Sequence, residues 1–118
     1  MPLLRLSTNA TADDTTLAAL NQQLSAKTAA ILGKPEAYVM VESRLEVSMS
    51  FGGSADPCAF FEVFSLGEIS GEQAKRFAAE ISEVLEGRLG VPAKRIYSAF
   101  HPWDRRDLWG YGAGTFAS

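Results

Sequence analysis

Apolar residues recur along this chain in two rhythms, and the same succession of rhythms occurs twice. An extended apolar run, Pro2-Leu3-Leu4-Arg5-Leu6, comes first. Leu17, Leu20, Leu24 and Ile31 then keep the spacing of one helix face. Thr11 and Asp14 resemble a capping box and predict that this helix starts near Thr11. Leu32-Gly33-Lys34-Pro35 ends it, because Gly33 offers a C-cap and Pro35 forces Lys34 away from helical angles. A second extended stretch is predicted over about 38–42. At an offset of 57 residues the pattern returns: Ala59-Phe60-Phe61-Glu62-Val63 falls on the opening run, and Leu89-Gly90-Val91-Pro92 falls on the first helix stop. Between them, Ser70 and Gln73 open a second helix carrying Phe77, Ile81, Val84 and Leu85. A last strand is expected over about 95–100.

Each copy therefore reads strand, helix, Leu-Gly-x-Pro turn, strand. Leu-Gly-x-Pro is a common helix stop, but five elements falling in register favour a true repeat. Two βαβ repeats, about 2–45 and 59–101, predict an α/β (α+β) fold over a single domain, 1–118. Its four-stranded mixed sheet carries both helices on one face in a ferredoxin-like layer. Such a sheet leaves a face uncovered. Yet Phe60-Phe61-Glu62-Val63-Phe64 and Tyr38-Val39-Met40-Val41 are apolar in both directions, the pattern of strands buried on both faces. A symmetric homo-oligomer is the usual cover.

Composition narrows the class. The chain has 118 residues, 47% of them hydrophobic, enough for a packed core without disulfide or metal. One cysteine, Cys58, excludes an internal disulfide framework and fits a reducing compartment. A net charge of -3 argues against a nucleic-acid partner. No apolar stretch is long enough to span a membrane, and the start lacks a signal peptide's n- and h-regions, so the expected location is cytoplasmic. His101 is the only histidine and has no partners with metal-ligand spacing, so it is expected to be a partly exposed strand-end residue. Gly110-Tyr111-Gly112-Ala113-Gly114 superficially resembles a phosphate loop, but no helix follows it. Asp104-Arg105-Arg106-Asp107 reads as a charged hairpin or loop. No cofactor is called for.

The sharpest chemical signal is Met1-Pro2. Removal of an initiator Met before so small a residue would leave Pro2 with a secondary amine, placed on the first residue of a strand. Burial among apolar side chains and a nearby cation both disfavour the charged form of such an amine. A neutral amine is a competent general base. On Met-Pro alone, an accident of the start site is the commoner explanation.

Taken in order, Met1-Pro2, Gly33-Lys34-Pro35, Phe51-Gly52-Gly53-Ser54, Asp56-Pro57-Cys58-Ala59, Arg95-Ile96-Tyr97 and Gly114-Thr115-Phe116-Ala117 span almost the whole chain. This series resembles the macrophage migration inhibitory factor family of the tautomerase superfamily. The resemblance implies a homotrimer whose sheets pack into a central barrel, with a site at each subunit boundary and Pro2 as catalytic base. Substrates of the family are small aromatic, phenylpyruvate-type α-keto acids and, in some members, dopachrome.

Carried across residue by residue, the resemblance makes Lys34 the anchor of the substrate carboxylate. Outside that context, a lysine after a helix is more often a solvated cation. Leu66 matches a position whose backbone amide meets substrate, and Ser65 beside it adds a hydroxyl or is a plain strand serine. Tyr97 matches a pocket tyrosine given by the neighbouring subunit, or else a half-buried strand tyrosine. Phe116 matches an aromatic pocket wall, though C-terminal packing suits it equally. Ala99 stands where the family often has a substrate-contacting asparagine. Trp109 and Tyr111 replace an aliphatic residue and a tryptophan. Of the family's Cys-x-x-Cys only Cys58 is present, with Phe61 in place of the second sulfur, which removes a dithiol couple.

Two function classes follow. One is a keto-enol tautomerase. The alternative is a cytokine-like module that binds a protein receptor and retains only vestigial catalysis; family members can be exported without a signal peptide.

Overall fold

The computed structural model describes residues 2–117; Met1, whose removal the Pro2 chemistry requires, lies outside the described residues, as does Ser118. Strand β1 spans Leu3–Thr8, helix α1 Asp14–Leu32, β2 Met40–Arg44, β3 Ala59–Leu66, helix α2 Gly71–Leu89 and β4 Ile96–Trp103. A short hairpin of β5 (Gly110–Tyr111) and β6 (Gly114–Thr115) follows. The main sheet has the order β2-β1-β3-β4, with β1 parallel to β2, antiparallel to β3, and β3 parallel to β4. The expected mixed four-stranded sheet of two βαβ repeats is thus present, and both helices keep the 57-residue offset, Asp14 to Gly71 and Leu32 to Leu89.

Local chemistry explains the boundaries. Ser70 and Gln73 form a reciprocal capping box, with Gln73 N donating to Ser70 Oγ at 3.0 Å and Ser70 N to Gln73 Oε1 at 2.9 Å. The first helix does not start near Thr11. Its N-cap is Asp13, whose carboxylate accepts from Thr16 N at 2.7 Å, so the free amide is satisfied by an acid three residues before it. Both helices end on glycines in the left-handed region, Gly33 at φ 64° and Gly90 at φ 69°. After each glycine, proline leads into one turn of 3-10 helix, Glu36–Tyr38 and Ala93–Arg95. Those turns delay the strands beyond the expected 38–42 and 95–100.

The core lies between the sheet and the helices. Leu4, Leu6, Phe61 and Val63 are fully buried beneath Leu20 and Leu24 of α1 and Phe77, Ile81 and Leu85 of α2. The opposite face of the sheet differs from the expectation of strands apolar in both directions. Phe60 and Phe64 are there, but the cross-strand partners Arg5, Glu42 and Glu62 stand between them. Arg5 Nε donates to Glu42 at 2.7 Å, and His101 bonds Glu62 at 2.9 Å while packing on Phe64. Met40 is 65% exposed on the same face. Among the described residues, no helix is long and apolar enough to cross a membrane.

Candidate active site

Pro2 is buried immediately before β1, its carbonyl accepting from Met40 N at 3.0 Å. The pairs Leu3↔Phe64 and Leu3↔Met40 fix this end of the sheet. Because Pro35 starts a 3-10 turn, Tyr38 swings out of the strand and over Pro2's end of the sheet. Tyr38 meets Tyr111 and Phe116 edge-on, with centroids 5.6 and 5.9 Å away, and Tyr111 stacks on Phe116 at 5.1 Å. Pro2, Leu3, Tyr38, Met40, Trp109, Tyr111 and Phe116 line one cleft of roughly 420 Å³, the scale of a small-molecule site.

Lys34 enters from the end of α1. Its Nζ donates to the carbonyl of Leu66 at 2.9 Å, at the end of β3 and two residues past the Leu3↔Phe64 pair. A second cleft of roughly 270 Å³ is lined there by Lys34, Leu66, Gly67, Trp103, Asp104 and Arg106. Trp103 meets Trp109 edge-on at 6.3 Å, so the two clefts adjoin through a tryptophan pair. Ser65 is fully buried, its hydroxyl 3.4 Å from the Leu66 carbonyl, a long hydrogen bond.

The chain does not bring all of the expected residues together. Tyr97 pairs with Phe60, which pairs with Ser7; that is four residues along β1 from Leu3, about 13 Å at strand rise. Ala99 pairs with Glu62 in mid-sheet. Both lie on β4 away from the Pro2 end, and Tyr97 is 67% exposed.

Two contributors were not visible in the sequence pattern. The apolar pattern puts Tyr38 inside a strand, whereas the turn after Pro35 brings it to the cleft. Arg106, in the charged stretch, donates to the Phe116 carbonyl at 2.8 Å and so ties down the cleft's aromatic wall. That stretch is an exposed loop that runs into one 3-10 turn, Arg106–Leu108. His101 is partly exposed but lies within β4 rather than at its end. Cys58 is buried and free.

A family model described as macrophage migration inhibitory factor matches residues 1–117. The chain belongs to the macrophage migration inhibitory factor family. It is 34% identical to the macrophage migration inhibitory factor of Xenopus laevis over 120 residues, covering 99% of this chain and 100% of that protein. A homolog from Trichuris trichiura is also 34% identical, over 98% of this chain and 100% of its own length. Among solved structures, the family homologue from Prochlorococcus marinus superposes with a TM-score of 0.88 at 35% identity, covering 97% of this chain and 98% of that one. The Toxoplasma gondii macrophage migration inhibitory factor gives 0.90 at 36% identity, covering 96% and 98%. The ferredoxin-like layer expected from the repeat and the tautomerase fold implied by the resemblance are therefore the fold of the chain.

Proposed function

We propose that this protein is a keto-enol tautomerase of phenylpyruvate-type α-keto acids that works as a homotrimer, with Pro2, freed by removal of Met1, as general base and acid. The observation that carries the reading is the burial of Pro2 in the lining of an aromatic cleft, with Lys34 at the same end of the sheet. Burial among apolar rings favours the neutral amine, and an ammonium at the same end of the sheet acts in the same direction. That amine takes the enol hydroxyl proton, and the prolinium returns a proton to the carbon beside the new carbonyl, so no atom is gained or lost overall. Lys34 holds the substrate carboxylate, and Trp109, Tyr111 and Phe116 receive its ring. Leu66 offers its backbone amide. Ser65 is buried with its hydroxyl turned to the Leu66 carbonyl.

The homotrimer belongs to this reading on two grounds: the sheet face opposite the helices is open, and Tyr97, exposed and distant from its own Pro2, would complete the cleft of a neighbour. Ala99 brings no polar group there, which favours phenylpyruvate over dopachrome and other substrates with polar rings; a lost hydrogen bond is worth on the order of 1 kcal/mol. The same missing contact leaves room for the second reading, a cytokine-like module that binds a protein receptor and keeps only vestigial catalysis.

The test is ultraviolet phenylpyruvate tautomerisation by protein whose Met1 removal is verified by intact mass. Turnover that drops at least about tenfold in a still-trimeric Pro2→Gly variant, one pKa-unit equivalent of barrier, supports the base assignment. Equal rates for the two proteins would refute it. No turnover from processed, trimeric wild type would leave the binding module as the function.

A further inference from the structure

A tyrosine that is two-thirds exposed is normally free to turn, yet Tyr97 is held. Its ring meets Phe51 edge-on with centroids 4.9 Å apart. Phe51 in turn lies under the guanidinium of Arg95, 5.2 Å from its centroid. Phe51 also closes a tight turn with Ser54 through two backbone bonds, 2.9 and 3.1 Å, across Gly52 and Gly53 at φ 61° and 77°.

Arg95 donates to four backbone carbonyls of this loop: Pro57 at 3.0 Å, Phe51 at 3.1 Å, Ser54 at 3.0 Å and Asp56 at 3.1 Å. A guanidinium is the one side chain with enough donors, in a rigid plane, to do this. Asn9 fastens the loop from β1's end, donating to the carbonyls of Ala55 and Asp56 and accepting from Cys58 N at 2.9 Å. The loop is thus a fixed platform, and the Tyr97 ring rests on it. Nothing in its own subunit's cleft uses that ring, because Tyr97 stands at the far end of the sheet from Pro2.

We propose that Phe51, clamped by Arg95, is a positioning residue that fixes the orientation in which one subunit presents Tyr97 to the Pro2 cleft of the next. The inference rests on the reading of Tyr97 as a residue of a shared site. Its energetic logic is pre-organisation: a ring ordered before substrate arrives loses less freedom on binding, so the gain appears in KM and not in kcat.

Phe51→Leu removes the ring contact and leaves every Arg95 bond to the backbone possible. Phenylpyruvate KM should rise about two- to tenfold, the scale of one aromatic pair, with kcat little changed. In a Tyr97→Ala background the same substitution should add nothing, since contacting residues couple. An equal rise in that background, or no rise in either, overturns the proposal. A second readout does not need turnover. With 3-fluorotyrosine incorporated and the Tyr97 resonance assigned by Tyr97→Phe, Phe51→Leu should move that resonance toward its unfolded position; an unmoved resonance also overturns it. No turnover from processed, trimeric wild type would instead count against the tautomerase reading, and the fluorine result would still report whether the ring is held.

Discussion

Lys34 reaches across from the end of α1 to the carbonyl of Leu66 at the end of β3, 2.9 Å from Nζ to oxygen. One of its donors is thereby used, and two remain for a ligand. The carbonyl holds the ammonium in place without neutralising it, and among the described residues Lys34 has no carboxylate within ion-pair distance. A cation held this way suits an anion delivered from outside.

Lys34→Ala should therefore raise KM strongly for α-keto acids and little for a neutral ester analogue, with the trimer intact. Steady-state kinetics on both substrates checks it. Equal effects on acid and ester would remove Lys34 as the carboxylate anchor.

How far such a site can be read from sequence depends on where each residue gets its position. The helices were legible because capping and periodicity are local: Ser70 with Gln73, and the glycines at 33 and 90, each signal their own conformation. Pro2 stands out from Met1-Pro2 itself, Lys34 and Phe116 from the family motifs, and Trp109 and Tyr111 as departures from the family's pattern; the fold gathers all five at one end of the sheet. Tyr38 was not assigned to the site because its placement depends on whether the chain after Pro35 turns or extends, a choice that packing makes. Asp13 is hidden as a cap because Thr11 and Asp14 offer a competing local pattern. Arg95 looked like one basic residue of a strand start; its four carbonyl partners lie some forty residues earlier in the chain, beyond any local rule.

The capping box at α2 gives a stability prediction free of the active site. Ser70→Ala leaves the Gln73 amide without its acceptor and should cost about 1 kcal/mol, the usual value of such a cap. Urea titration should show a lower midpoint with an unchanged slope. Because Ser70 is exposed and lines neither cleft, tautomerisation at saturating substrate should stay as in wild type. A midpoint equal to that of wild type would mean that water replaces the hydroxyl at no cost.

Acid should weaken the pairing of the two helices. The Glu80 carboxyl is held below its ordinary value of 4.5 by hydrogen bonds first from Arg76 and then from Lys27, the latter on α1. A carboxyl lowered in the folded state contributes stability that is complete above its unfolded value and is lost as pH falls through the lower folded one. Glu42, lowered by Arg5 and then Arg44, acts in the same direction. Thermal midpoints should accordingly be flat near neutrality and decline in the acid range below 4.5. Glu80→Gln should start lower and show a shallower acid decline; a decline as steep as in wild type would show that Glu80 has no part in it.

Gly67 stands next to the Lys34–Leu66 contact, and its backbone makes the last prediction. Its φ is 104°, a region that side chains other than glycine's rarely adopt, and its amide donates to the Trp103 carbonyl at 2.7 Å. Space is not the obstacle, because an added Cβ would stand 3.6 Å from Lys34 Nζ, an ordinary contact. Conformation is. Gly67→Ala should therefore destabilise the fold by on the order of 1–3 kcal/mol, or relax by turning the peptide after Leu66. Relaxation would move the carbonyl that holds Lys34, so any stability regained comes with a higher KM for acids and an unchanged KM for the ester. Denaturant midpoint and the two KM values should be measured on the same preparation. A variant that matches wild type in all three would show that the left-handed conformation at Gly67 is needed neither by the fold nor by the carboxylate site.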